Sequence, residues 1–91
     1  MDRDEALKKL SLPEGAYKVI RHIRNVGNRS FYELEQLGII EMDINIGNNE
    51  FLKCYDADGN DLDIILKAKY FAKVDNEIFE DYNIPLYFYC K

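Results

Sequence analysis

The sequence predicts a small, mainly β domain decorated by one or two short helices, and three observations predict it. Ile40, Met42, Ile44 and Ile46 alternate with Glu41, Asp43 and Asn45, the period of two expected of a strand with one wet face. Turn-forming clusters, GNNE at 47–50 and DADGND at 56–61, separate that run from further apolar runs, which is a hairpin signal. With 91 residues, 47% of them hydrophobic and 32% charged, the chain has room for one core, so a single domain spans 1–91.

Residues 2–10 predict a short helix. Asp2, Asp4 and Glu5 suit its positive end and Lys8 and Lys9 its negative end, with Leu7 and Leu10 as apolar contacts. Pro13 and Gly15 then break the chain. The run AYKVIRHIRNV reads as the first strand, in which Ile20 and Ile23 disturb the alternation set by Tyr17 and Val19. A bulge near Arg21 restores register. His22 then falls on a half-exposed strand position.

Ser30 and Glu33 form an S-x-x-E capping box. With Phe31, Leu34 and Leu37 near one face and Gly38 at the left-handed terminal position, this predicts a helix of about two turns that depends on tertiary packing. Tyr32 would lie on its wet face beside Glu33, Glu35 and Gln36, available to a partner. Beyond the alternating strand and its turn, FLKCY and LDIIL read as strands. KAKYFAKV reads as one helical turn leading into a short strand around Val74.

The acidic segment 56–63 raises the question of a metal. A calcium loop follows D-x-[DN]-x-[DN]-G-x5-E, and Asp56, Asp58 and Asn60 fit its first five positions. The sixth position, glycine for the sharp bend, is Asp61, and the twelfth, the bidentate glutamate, is Lys67. The segment therefore reads as a hairpin turn. Cys54, Cys90 and His22 are too few for a zinc site, and both thiols read as small hydrophobes, Cys54 on a buried face. No metal ligand, cofactor or catalytic residue is assigned, and an enzyme is not expected.

A net charge of −5 opposes binding to a phosphate backbone unless the bases cluster. Arg21, Arg24 and Arg29 read as a solvated strand edge, so no nucleic-acid partner is expected. The charged MDRDEALKKLS start lacks the apolar stretch of a signal peptide, and no run approaches a membrane span, so a cytoplasmic location is expected. The tail around Pro85 is dense in aromatics. It reads as a last strand with Leu86 and Phe88 inward and Tyr87 and Tyr89 outward, or as a partner-binding strip of Tyr82, Ile84, Tyr87 and Tyr89. The two readings are compatible.

The order of these elements resembles the FeoA family (ferrous iron transport protein A). The matching residues are Leu12 and Gly15, Val19 and Ile23, then Leu34, Leu37, Gly38 and Ile39 in ELEQLGI. They continue with Met42, Ile44 and Ile46, the hairpin Gly59, and Leu66, Ala72 and Val74. The match covers about residues 12–75, leaving 76–91 as a C-terminal extension. The family usually has a Pro-Gly turn after its leucine-glycine helix, where this chain has Glu41 and Met42. The resemblance implies an SH3-like small β-barrel. It also implies an accessory role in ferrous iron transport, with the cytosolic GTPase part of the transporter FeoB as partner and the membrane reached through that partner alone. The alternative is an SH3-like interaction module unrelated to iron, and a homo-oligomer fits either reading.

Overall fold

The structure, a computed structural model, describes residues 1–43 and 52–90. One helix, α1 (Arg3–Lys9), precedes eight strands: β1 (Ala16–Val26), β2 (Arg29–Leu34), β3 (Gly38–Asp43), β4 (Leu52–Tyr55), β5 (Asp61–Lys69), β6 (Phe71–Val74), β7 (Glu77–Glu80) and β8 (Tyr87–Cys90). Strands β1 to β5 and β8 close into an antiparallel barrel in the order β1-β2-β3-β4-β5-β8, and β6 and β7 form a separate two-stranded sheet. This is the architecture of a small SH3-like barrel.

Every barrel strand sends at least one side chain to the centre. Val19, Tyr32, Leu34, Ile40, Met42, Cys54, Leu66 and Phe88 form one buried cluster. The Tyr32 and Phe88 rings meet edge to face with centroids 5.4 Å apart, a geometry that adds to the gain from area burial. Closure falls to the last strand. Strand β8 pairs with β1 through Ala16–Tyr89 and Lys18–Tyr87, and with β5 through Lys67–Tyr89 and Lys69–Tyr87. Thus residues 87–90, outside the span of the family resemblance, complete the barrel wall.

A second cluster lies on the outer side of β8, where Leu7, Ala72, Leu86 and Tyr87 are buried and Leu10, Leu12, Phe79 and Tyr89 pack around them. Helix α1 and the β6–β7 hairpin form its cover. The Asp2 carboxylate caps α1 by accepting from the Glu5 amide at 2.8 Å. Arg3 then ties the helix down: its guanidinium donates to the Asp81 carboxylate at 3.2 Å and to the carbonyls of Ile84, Val19 and Pro85. Burial raises the Asp81 carboxyl, but the Asn83 and Ile84 amides and Arg3 outweigh it and hold the group below its ordinary range.

The first strand behaves as its sequence predicts, with register shifts between Val19 and Arg21 and between His22 and Arg24. His22 is half-buried. Of the alternating run, Ile40 and Met42 are buried within β3; its residues 44–47 and the GNNE turn lie outside the described residues.

Two local expectations are corrected. Residues 30–37 are not a helix. Ser30, Tyr32 and Leu34 alternate inward along β2, which pairs with β1 and β3 on its two sides. The Ser30 hydroxyl donates to Asn25 Oδ1 at 2.6 Å, and Glu33 accepts from Arg21 Nε at 2.9 Å, so both halves of the expected capping box bond elsewhere. A two-turn helix is marginal on its own, and two sheet ladders replace it. Gln36 and Gly38, with φ of 78° and 79°, make the turn into β3. Nor is there a helical turn in KAKYFAKV. Lys67 and Lys69 continue β5 against β8, and Phe71 opens β6. In the tail, Phe88 points inward as expected, whereas Leu86 joins the outer cluster.

Because Phe88 has no exposed surface and lies on the closing strand, Phe88→Ala is expected to cost about 3–5 kcal/mol, a large part of a small domain's stability. Tyr82→Ala, at a surface position, is expected to stay within about 0.5 kcal/mol. Urea unfolding of the two variants measures the contrast.

Candidate functional site

The acidic corner between β4 and β5 is a self-satisfied turn. Asp56 Oδ1 accepts from the backbone amides of Asp58 and Asn60, each at 2.9 Å, while Oδ2 accepts from Asn60 Nδ2 at 3.1 Å. The Asn60 bonds, first from its backbone and then from its side chain, hold the Asp56 carboxyl below its usual range. Asp61 turns to the Asp63 amide and to Lys53 Nζ. Among the described residues, no three His, Cys, Asp or Glu side chains group as a metal site.

The arginines of β1 and β2 engage side chains of their own sheet. Arg21 pairs with Glu33 and Arg29 with Glu41, each at 2.9 Å. The Arg24 guanidinium lies 4.3 Å over the Phe31 ring and that of Arg29 lies 4.7 Å over Tyr55. Cys54 is fully buried, and burial with the nearby Cys90 and Asp61 pushes its thiol up to about 12. Cys90 lies exposed at the end of β8.

A concave surface with a largely apolar lining lies over the outer cluster. A groove of about 360 Å³ runs between the segment after α1 and the β6–β7 hairpin, near the small end of the range for ligand pockets. Tyr87 contributes from the barrel wall, Leu10 and Ser11 from one side, and Phe71, Lys73 and Ile78 from the hairpin. The hairpin is built by an Asp75-Asn76 turn, both residues at positive φ (50° and 66°), the backbone demanded by a two-residue connection of primed type. Its register, Phe71–Glu80, Ala72–Phe79, Lys73–Ile78 and Val74–Glu77, sets two faces. Ala72, Val74 and Phe79 turn toward the protein, whereas Phe71 and Ile78 remain 49% and 67% exposed.

Against this geometry the expected partner residues separate. Tyr87 lines the groove, although at 9% exposure it is more buried than an outward strand residue suggests. Tyr82 is 76% exposed, and its hydroxyl donates to Glu80 Oε2 at 2.7 Å. Glu80 stands across the ladder from Phe71. Tyr89 is half-buried beside Tyr87, ring centroids 5.9 Å apart. Ile84 packs on the barrel core and gives its carbonyl to Arg3. Tyr32, expected on a wet helix face, is instead 8% exposed inside the barrel. The structure thus brings Tyr87 to the groove and Tyr82 near its hairpin wall, and holds Tyr32 apart from them.

Phe71, Lys73 and Ile78 were not expected as site residues. The signal for them was the DN turn between two short runs, obscured because KAKYFAKV suggests a helical turn before the short strand around Val74, which the structure does contain as the end of β6. Searches of protein-family models, of curated proteins and of solved structures find no match to the chain.

The contrast between the two thiols is directly testable. In native protein, a thiol reagent is expected to modify Cys90 and leave Cys54 untouched, and in urea to modify both. Mass spectrometry of the labelled chain reads the difference.

Proposed function

We propose that the chain is a protein-interaction module that acts by binding rather than by chemistry, and that the groove between the segment after α1 and the β6–β7 hairpin is its binding surface. One observation carries this reading. Phe71 and Ile78, two large apolar side chains, stand in water on the wall of a concave surface that Leu10 and Tyr87 extend. Apolar groups gathered beside a concavity mark an interaction site more often than scattered ones do. The barrel beneath holds Tyr87 on a strand paired on both sides, a preorganised support that reduces the ordering cost of binding.

The resemblance to the FeoA family supplies the first partner to test, the cytosolic GTPase part of a ferrous iron transporter. Docking there would alter the transporter by differential affinity for two of its conformations. A second reading, an SH3-like module for another partner or for its own kind, is favoured by a specific observation. The stretch Leu34, Leu37, Gly38 and Ile39, which carries much of the resemblance as a helix end, runs instead from the end of β2 through a turn into β3.

Calorimetric titration against the transporter's GTPase domain, with each nucleotide state present in turn, tests the first reading. Binding in at least one state is expected, weakened about tenfold or more by Ile78→Asp with the thermal midpoint unchanged. Binding in neither state ends the transporter reading. Binding that Ile78→Asp leaves intact removes the groove from it.

A further inference from the structure

We propose that the groove receives an extended segment of a partner protein in which an apolar anchor is flanked by carboxylates, an inference that rests on reading this groove as the binding surface. The first support is charge. The chain carries a net −5, yet Lys69 and Lys73 line the groove and no acidic residue does. Among the described residues neither lysine enters a salt bridge. The Lys69 ammonium lies 4.3 Å over the Phe71 ring, and Lys73 stands exposed opposite Ile78. Glu80, on the same outward face, takes the Tyr82 hydroxyl. A carboxylate entering the groove meets two cations beside apolar walls, where attraction is stronger than in open water. Over much of the remaining surface it meets the excess of acids.

The second support is backbone. Among the described residues β6 pairs with β7 and with no other strand. Phe71, Ala72 and Lys73 all line the groove. Successive side chains of a strand point to opposite faces, so three consecutive residues line a surface along a strand's edge rather than on one face. An extended segment laid there can bond the N–H and C=O groups of Phe71 and Lys73, which point away from β7, placing alternate side chains against Tyr87 and Ile78.

Fluorescence anisotropy with the full chain tests the proposal. The probes are three labelled peptides sharing a leucine-phenylalanine anchor, flanked by glutamates, by glutamines or by lysines. The glutamate peptide is expected to bind about tenfold more tightly than the glutamine peptide, with the gap narrowing as salt is added. In Lys69→Glu/Lys73→Glu the preference is expected to reverse toward the lysine peptide, with the melting temperature unchanged. Hydrogen exchange at the Phe71 and Lys73 amides, which point away from β7 in this register, is expected to slow on binding. Equal affinity for the glutamate and glutamine peptides, both lost in Ile78→Asp, overturns the charge inference while the groove reading stands. Unchanged exchange at β6 in a saturated complex overturns the extended pose. No binding of any peptide, or binding indifferent to Ile78→Asp and to the lysine reversal, overturns both. Sedimentation showing a dimer that Ile78→Asp disperses makes a second copy the occupant and likewise overturns the proposal.

Discussion

Strand β8 is paired on both sides, to β1 through Tyr87 and Tyr89 and to β5 through the same two residues, and this double pairing is the constraint on which the rest of the molecule depends. Without it β1 and β5 would be open edges and the barrel an incomplete sheet. The strand also has two buried faces. Phe88 fills the barrel and meets Tyr32, while Tyr87 turns outward beneath α1 and the β6–β7 hairpin. A single strand is thereby shared by both clusters. The groove proposed to bind a partner is formed partly on the reverse side of the barrel wall.

Helix α1 is held over that wall by a contact between residues far apart in sequence. Asp2 and the charges at the two ends of α1 favour a helix locally, but seven residues are too few to be stable alone. Arg3 supplies the anchorage, reaching Asp81 and three carbonyls that belong to β1 and to the segment leading into β8. Charge-assisted hydrogen bonds of this kind are stronger than neutral ones. They keep the cover in place while Leu10, just beyond the helix, lines the groove.

How much of this was legible in the sequence depended on the period of each segment. Ile40 and Met42, alternating with Glu41 and Asp43, declared a half-buried strand, and DADGND declared the hairpin between β4 and β5. Strand β2 hid because one of its three inward residues is Ser30, whose polarity breaks the alternation and whose spacing from Glu33 imitates a cap. In the fold that serine is reconciled to burial by Asn25. The β6–β7 hairpin hid for the opposite reason. Phe71 and Ile78 point outward while Ala72, Val74 and Phe79 point inward, so apolar residues occur on both faces and the period of two vanishes. A wet apolar face is what a docking surface requires, so the candidate site was least legible where it departs from the pattern of an isolated domain. The Arg3 contacts, 78 or more positions from Asp81, Ile84 and Pro85, leave no local signal.

The most direct test of the account is nuclear Overhauser spectroscopy of the isotopically labelled chain, directed at β8. The account predicts cross-strand contacts from the Tyr89 backbone to both Ala16 and Lys67, and from the Tyr87 backbone to both Lys18 and Lys69. Contacts on one side alone, or a Tyr87–Cys90 segment that exchanges its amides as fast as an unfolded peptide, would contradict closure. The groove could then not be supported by the barrel wall.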